Sequence, residues 1–329
     1  ENKDGELPGG LAAVTLARVR QRARVGILYD AFADDGFCRA ALTAIGEGFQ
    51  VAVGADSLHF RATSAYPRLV AELPAKAELR RMTEASSNAV VFGECLLLKG
   101  SRRLHTEVNP ALELGRFLTE QAPEVRTVPV GGSVEYLGAD GDRAVLAILQ
   151  GYVDNQGDAW SYTRAYLDRF LTRSLVAAPN ANLTDSEIHA SYCLLMNNLG
   201  QRTAELHAAM AAARGDPAFE PEPIAPEEPA AWASALAEEA TATLQLLRHD
   251  LGTLSGRALA AAGAVLAEGD HVPERLSVMG HPIEAVKTRL HGDFHLGQVL
   301  IVGSDVVLIG FGAGPGQGLE TRRSKGSPL

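Results

Sequence analysis

The chain has 329 residues, of which 46% are hydrophobic, and this is enough to bury the core of one bilobal protein or of two domains. Its formal charge of -10 argues against a general nucleic-acid surface or an anionic-membrane surface. Three widely spaced cysteines, a polar N-terminal region and the lack of an apolar run of ~18 residues favour a soluble cytoplasmic protein without a disulfide framework.

The first part of the chain alternates helical and extended patterns. Residues 38–49 and 64–85 have helical patterning, and the short strand "QVAVGA" lies between them. The segment "NAVVFGECLLLKG" follows, in which two apolar runs flank Gly93 and Glu94. Such a pair of runs around a two-residue turn predicts a β-hairpin.

One helix interrupts the strands that come next. Asn109 suits the N-cap of this helix and Pro110 suits its first position. Two further strands, "RTVPVGGSVEYLG" and "RAVLAILQGYV", lie on either side of an "ADGD" turn. Residues 88–153 are therefore predicted to form an antiparallel sheet with the helix 109–121 against it.

The pattern becomes helical after Gly157. Two long periodic segments precede the Pro-rich acidic stretch "GDPAFEPEPIAPEEPAAW", and further helices are predicted near 232–250 and 257–267. Two short strands, 298–302 and 305–309, close the series. A strand-rich part, a short connector and a helical part are the layout of a bilobal kinase.

The residues from 289 onwards, "RLHGDFHLGQVLIVGSDVVLIGFGAGP", have the pattern of a phosphoryl-transfer loop. Such a reaction needs a carboxylate near the attacking hydroxyl and oxygen ligands for magnesium. Asp293 and Gln298 have the Asp-x-x-x-x-Asn spacing that supplies both groups. A strand pair then leads to Gly310, where a kinase has a metal-binding acid. The alternative is that "HGD" is a loop turn.

Two histidines in this loop allow a different interpretation. His291 and His295 have the i, i+4 spacing of a zinc pair, which requires a helix. Gly292 and Gly297 argue against a helix here.

Three further groups are candidates for binding. Lys99 ends the strand "CLLLK" and has Glu113 as its candidate partner, although lysines are common at strand ends. Ser87 and Asn88 precede the hairpin and are candidates for placing backbone N–H groups near phosphate. Trp160, at the start of a helix, is a candidate for stacking on a sugar or for packing in the core.

Four segments resemble the bacterial maltokinases, including the kinase part of trehalose synthase–maltokinase fusions: "SSNAVVFGECLLLK", "VNPALELGRFLTE", "LQGYVDNQGDAWSYT" and "RLHGDFHLGQVL". The resemblance begins near residue 26. The "HGD" loop alone marks the wider aminoglycoside phosphotransferase-like superfamily, to which glucosamine kinase also belongs.

The resemblance implies ATP-dependent phosphorylation of maltose to maltose 1-phosphate, with ATP and Mg²⁺ as cofactors and trehalose synthase as a possible partner. It implies an α+β, eukaryotic-protein-kinase-like fold. A cap-like subdomain would cover residues 1–85, a nucleotide-binding lobe 86–153 and a helical C-terminal lobe 154–329. Family members continue past Leu329, so the resemblance also implies an incomplete C-terminal lobe.

Site roles follow from the same resemblance. Asp293 would be the catalytic base and Gln298 a metal ligand. Nucleotide contacts would come from Lys99, Glu113, Ser87, Asn88, Gln150, Gly151 and Tyr152, and substrate contacts from His295 and Trp160.

One departure from the family bears on activity. The family has an acidic run where this chain has "GFGAGP", and Gly310 offers no carboxylate. We therefore expect an impaired kinase, and a noncatalytic pseudokinase-like domain or a glucosamine kinase are the alternatives.

Overall fold

The computed structural model of the chain describes residues 14–22, 24–82, 88–101, 104–106, 108–176, 185–212, 215–269, 271–312 and 323–327. The chain divides into two compact units, one made of Glu1–Ala209 and Leu290–Ser324 and the other of Met210–Arg289 and Lys325–Leu329. Helices and strands alternate along the chain, so the predicted α+β class is confirmed.

A seven-stranded antiparallel sheet organises the first unit. Its strands are β3 (Gln50–Val53), β4 (Asp56–Ala62), β5 (Leu79–Met82), β6 (Asn88–Phe92), β7 (Leu96–Gly100), β8 (Val130–Leu137) and β9 (Arg143–Gly151). They are hydrogen-bonded in the order β3-β4-β8-β9-β7-β6-β5. The antiparallel sheet predicted within 88–153 is confirmed, and three earlier strands extend it.

Two helices, α1 (Asp35–Glu47) and α2 (Tyr66–Ala71), precede the hairpin strands and share a core with the sheet. Leu96 and Leu98 of β7 are buried in one apolar cluster with Ile45 of α1 and Leu69 of α2. Because side chains alternate along a strand, this core takes one face of β7 and leaves the other for Leu97 and Lys99.

The turn of the β6–β7 hairpin contains two left-handed residues. Gly93 has a φ of 52° and Glu94 a φ of 57°. Two successive left-handed residues are what the centre of a type I′ turn requires, and the N–H of Cys95 donates to the carbonyl of Phe92 at 3.0 Å across it. Phe92 pairs with Leu96, so the loop contains three residues and not the two that the sequence pattern predicts. The predicted hairpin is confirmed.

Helix α3 (Pro110–Gln121) begins as predicted. The side chain of Asn109 accepts a hydrogen bond of 3.1 Å from the backbone N–H of Leu112, which would otherwise lack a helical partner. Pro110 is the first helical residue and has no N–H to satisfy. The cap places Glu113 in the first turn of the helix.

Two long helices, α4 (Ala159–Val176) and α5 (Asp185–Ala211), and a hairpin of β12 (Val299–Val302) and β13 (Asp305–Leu308) complete the main elements of this unit. Arg202 of α5 donates to Asp305 at 2.6 Å, and Asn198 donates to the carbonyl of Ser304 at 2.8 Å. These bonds hold the β12–β13 turn against α5.

The second unit contains α6 (Glu228–Asp250), α7 (Gly256–Gly269) and α8 (Val272–Ser277). It also has a small sheet of β10 (Glu222–Pro223), β11 (Val286–Arg289) and β14 (Lys325–Gly326), with β11 in the middle. Of the helices in the described part of the chain, none is long and apolar enough to cross a membrane.

The expectation of a helix over 64–85 was wrong. The helical part ends at Ala71 and residues 79–82 form β5, which pairs with β6. Pro74 explains the end, because proline disfavours helical backbone at the residue before it and cannot donate its own hydrogen bond. A separate two-stranded hairpin, β1 (Thr15–Gln21) and β2 (Arg24–Tyr29), was not predicted.

Candidate functional site

The loop between β11 and β12 packs closely against the segment that follows β13, and this contact restricts its conformation. Gly292 has a φ of 87°, and a Cβ there would lie 3.1 Å from the Cα of Gly312. A side chain at position 292 would therefore be strained and crowded. The loop ends in a single 3-10 turn, Leu296–Gln298, in which Nδ1 of His295 accepts a hydrogen bond of 3.0 Å from the N–H of Gly297.

This loop brings together the two residues that the sequence singles out for chemistry. Nε2 of Gln298 donates a hydrogen bond of 3.1 Å to Oδ2 of Asp293. Nε2 of His295 lies 3.6 Å from the same oxygen. Both of these contacts, which are between described residues, involve Oδ2 of Asp293. Its other oxygen, Oδ1, is therefore available to accept a proton or a hydrogen bond.

His291 joins the loop to the residues after β13. Its Nε2–H donates to the carbonyl of Ile309 at 2.8 Å, and its own carbonyl accepts from the N–H of Gly312 at 2.7 Å. The ring is buried between Phe294 and Phe311, and burial lowers its pKa to about 4. His291 is therefore neutral at pH 7 and serves as a structural donor.

The zinc alternative has no support in this arrangement. Nε2 of His291 is engaged with a backbone carbonyl and Nδ1 of His295 with a backbone N–H. Within the part of the chain that the structure describes, no group of three or more His, Cys, Asp and Glu side chains is placed to hold a metal ion.

Gly310 lies directly against the amide of Gln298. Its φ is 76°, and a Cβ at this position would overlap Oε1 of Gln298. The amide oxygen thus occupies the place where an acidic side chain at 310 would begin. Glycine tolerates both the backbone conformation and the close approach.

The residues around Gly310 do not complete a magnesium site. Magnesium prefers oxygen ligands in near-octahedral geometry. Within the described ranges, this place offers the carboxylate of Asp293 and the amide oxygen of Gln298, and the two side chains are hydrogen-bonded to each other. One negative charge is available where a kinase uses more, so the donor set does not fit a tightly held ion.

Lys99 and Glu113 do not form the expected pair. Glu113 is instead joined to Arg323, whose Nη2 lies 2.7 Å from Oε1 and whose Nε lies 3.0 Å from Oε2. Lys99 is exposed, and none of the ion pairs between described residues includes it. The pairing implied by the resemblance is corrected here, while the nucleotide roles of the two residues stay predictions.

The other predicted nucleotide residues are divided between the two faces of the sheet. Gln150 lies opposite Leu97, so it shares a face with Lys99. Asn88 instead donates to Oδ2 of Asp30 at 2.9 Å. Ser87 lies outside the described residues.

Backbone hydrogen bonds hold the end of β9 and the first residue of the connector after it. The N–H of Gly151 donates to the carbonyl of Pro129 at 2.9 Å, and that of Tyr152 donates to Cys95 at 2.8 Å. Arg80 lies over the ring of Tyr152 and donates to its hydroxyl at 3.0 Å. Neither of these backbone N–H groups is therefore free for an adenine ring.

The two candidate substrate residues, Trp160 and His295, are both exposed but have different neighbours. Trp160 is 55% exposed, which argues against the core-packing alternative. His295 is exposed and stands beside Asp293. The sequence pattern did not predict the structural role of His291, which it offered only as a zinc ligand, or the contact of Arg323 with Glu113. The "HGD" motif was a signal for the first. The segment "RRSKGSPL", which contains Arg323, resembles the family but did not indicate a contact with Glu113.

No protein-family model matches the chain. The comparison with solved structures defines the fold, which is a kinase-like α+β fold. The solved structures that it is similar to include three of glucosamine kinase, each at 20% sequence identity.

One of these structures, glucosamine kinase in complex with glucosamine, ADP and inorganic phosphate, matches with a TM-score of 0.61 over 94% of this chain and 64% of that one. Crystal form B gives 0.58 over 92% and 64%, and crystal form A gives 0.58 over 94% and 62%. The chain thus spans less than two thirds of the length of the glucosamine kinase chains. At this identity, the likeness establishes the fold.

Proposed function

We propose that the chain is an ATP-dependent sugar kinase whose catalytic base is Asp293. The observation that carries this proposal is the hydrogen bond of 3.1 Å between Asp293 and Gln298, at kinase spacing, in a fold similar to that of glucosamine kinase. Phosphoryl transfer relies on positioning and electrostatics more than on covalent chemistry. A loop held by buried bonds of His291 supplies such positioning.

The reaction uses few groups of this chain. Asp293 accepts the proton of a sugar hydroxyl while that oxygen attacks the γ-phosphorus and ADP leaves. Gln298 orients the carboxylate through its amide N–H. The neutral ring of His291 donates to the carbonyl of Ile309 and so holds the loop in place.

The nucleotide would bind along the face of the sheet that carries Lys99 and Gln150. Lys99 would contact the phosphates as a point charge. Because the N–H groups of Gly151 and Tyr152 are engaged, adenine contacts would come from the side chain of Gln150 and the ring of Tyr152. ADP in a glucosamine kinase structure supports a nucleotide as the cofactor.

Maltose is our first choice of substrate, and maltose 1-phosphate the product, because the connector "LQGYVDNQGDAWSYT" resembles that of maltokinases. Glucosamine is the second choice, because glucosamine kinases share the fold over most of this chain. The same resemblance supports a cytoplasmic enzyme that associates with a trehalose synthase.

A noncatalytic nucleotide-binding protein is the alternative from another class. It is favoured by Gly310, because a site with one carboxylate holds magnesium weakly and leaves the phosphate charge poorly offset. On this alternative, the chain would bind nucleotide and release no product.

An ADP-release assay separates these functions. The purified chain is given ATP, Mg²⁺ and either maltose, glucosamine or no sugar, with Asp293→Asn as the inactive control. We expect slow release that depends on maltose and is absent in the variant. Release with glucosamine alone would favour the second choice, and nucleotide binding without release from any sugar would favour the noncatalytic protein.

A further inference from the structure

The side chain of Arg80 reaches over the connector residue Tyr152. Its guanidinium carbon lies 5.5 Å from the centre of the Tyr152 ring, and its Nη2 donates a hydrogen bond of 3.0 Å to the Tyr152 hydroxyl. A cation over an aromatic face and a hydrogen bond at the ring edge are two separate attractions within one pair. Because 72 positions separate the two residues, the contact depends on the folded sheet.

This contact lies across the β6–β7 hairpin. Arg80 belongs to β5 and is paired with Val91 of β6, whereas Tyr152 directly follows β9. The strand order β9-β7-β6-β5 places two strands between them, a separation of about 14 Å at the usual strand spacing. Neither side chain spans this distance alone, so the two side chains meet above the hairpin.

An apolar strip, formed by Val91 and Leu97, lies under the contact. Arg80 is opposite Val91, Val91 is opposite Leu97, and Leu97 is opposite Gln150, so the four residues form one row across the sheet. Val91 is 1% exposed, although it lies outside the buried cluster on the other face of the sheet. The methylene stem of Arg80, its cross-strand neighbour, is placed to cover it.

A nucleobase at the candidate site would use the same surface. Bases bind to apolar side chains and stack on aromatic rings. Leu97 is two positions before Lys99 on one face of β7, so phosphates at Lys99 direct the base towards the apolar strip and Tyr152. Because Arg80 lies over the Tyr152 ring, the base and Arg80 compete for this surface.

A surface cavity beside β5 gives Arg80 a second place to go. It has a volume of about 330 Å³, and its lining includes Arg80, Glu78 and Glu94. Both acids are exposed, and Glu78 lies two positions before Arg80 in the chain. A guanidinium that leaves Tyr152 for this cavity therefore exchanges one weak attraction for another, and the cost of the movement is small.

We propose that Arg80 and Tyr152 form a latch over the nucleobase end of the candidate site, and that a nucleotide binds only when the latch opens. The proposal deepens the proposed function and rests on it, because it assigns the apolar strip to a nucleobase. In the closed latch, the guanidinium lies on Tyr152 and covers the strip. In the open latch, Arg80 lies in the cavity beside Glu78 and Glu94, and the base stacks on Tyr152.

The first test needs no nucleotide. Modification of arginine side chains by phenylglyoxal is followed by mass spectrometry, with exposed Arg68 as the reactive reference and Arg202, which is bonded to two acids, as the protected one. We expect Arg80 to react several-fold more slowly than Arg68 in the unaltered chain. Tyr152→Leu, which removes both the ring and the hydroxyl, should raise its rate to that of Arg68.

The second test measures ADP affinity by calorimetry. Arg80→Ala should bind ADP about fivefold more tightly, because the chain no longer spends most of its time closed. Tyr152→Phe keeps the ring and loses the hydrogen bond, so it should bind about threefold more tightly. The double variant should bind no more tightly than Arg80→Ala, because both changes act on one closed state.

Arg68→Gln, an exposed arginine of α2, is the matched control for loss of one positive charge and should bind ADP like the unaltered chain. Weaker ADP binding in Arg80→Ala would make Arg80 a ligand of the nucleotide and overturn the latch. Equal modification of Arg80 and Arg68 in the unaltered chain would also overturn it, because the closed state would then not be populated.

A third outcome separates the latch from the proposed function. If Arg80 is protected and Tyr152→Leu exposes it, but ADP binds to none of the variants, then the closed contact exists and the nucleotide site does not. That result would contradict the proposed function, and with it the role of the latch. Protection of Arg80 together with tighter ADP binding in Arg80→Ala would support both.

Discussion

The amide of Gln298 contacts both the candidate base, Asp293, and Gly310, the position at which a kinase has a metal-binding acid. Its Nε2 donates to Asp293 at 3.1 Å, and its Oε1 lies where a side chain at Gly310 would begin. One amide therefore orients the carboxylate that we assign to proton transfer and fills the space of a second carboxylate. This arrangement keeps the proposed base hydrogen-bonded, and position 310 adds no second carboxylate beside it. An enzyme with an ordered base and a weak hold on magnesium is the consequence that we expect.

Asp293→Asn should remove catalysis without unfolding the protein. The amide keeps the size of the side chain and a bond to Gln298 but cannot accept the proton, so turnover should fall at least a thousandfold, or about 4 kcal/mol in the barrier. Thermal unfolding should stay within a few degrees of the unaltered chain. Asp168→Asn, at an exposed position of α4, is the control for loss of one charge. Equal turnover in Asp293→Asn and the unaltered chain would exclude Asp293 as the base.

Gly310→Asp should raise turnover and lower stability. A second carboxylate would strengthen the hold on magnesium, and we expect about a hundredfold gain in ADP release with sugar. The φ of 76° and the overlap with Gln298 should cost about 1 kcal/mol in the free energy of unfolding. Asp is among the residues that tolerate this backbone region.

Gly310→Ala is the matched control for that change. It imposes a similar strain and brings no charge, so it should lose stability and gain no activity. A gain in turnover as large as that of Gly310→Asp would mean that the carboxylate is not the missing feature.

His291 should make the folded state sensitive to acid. Its pKa is lowered from 6.5 to about 4 by burial, so the unfolded chain binds a proton there at a pH where the folded protein does not. Stability should therefore fall as the pH drops from 6.5 towards 4, by up to about 3 kcal/mol from this group.

Unfolding in denaturant at pH 7 and pH 5 measures this loss. His291→Gln retains an N–H for the carbonyl of Ile309 and has no titrating ring, so its loss between the two pH values should be smaller. His249→Gln, whose ring is 84% exposed, should behave like the unaltered chain. The same loss in all three proteins would contradict a buried neutral His291.

Local signals in the sequence were sufficient for several elements. The hairpin around Gly93, the cap at Asn109 and the β12–β13 hairpin each depend on residues within one turn of each other, and each was correctly predicted. The proximity of Asp293 and Gln298 was predicted for the same reason, since five positions of a tight loop separate them.

Other features depend on residues far apart in the chain. Residues 79–82 became a strand through pairing with β6, which outweighed a helical pattern. The partner of Glu113 lies 210 positions away, so sequence spacing gave no reason to choose Arg323 over Lys99. The contact of Gln298 with Gly310 also required the three-dimensional arrangement of two loops.

The central claim is sugar phosphorylation at Asp293, and detection of the product tests it most directly. The unaltered chain and Gly310→Asp are incubated with ATP, Mg²⁺ and maltose or glucosamine, and sugar phosphate is measured by mass spectrometry. We predict sugar phosphate from both proteins, in larger amount from Gly310→Asp. Neither protein should form sugar phosphate once it also carries the Asp293→Asn substitution. Absence of sugar phosphate from the unaltered chain and Gly310→Asp, while both bind ADP, would contradict the claim and leave a noncatalytic nucleotide-binding protein.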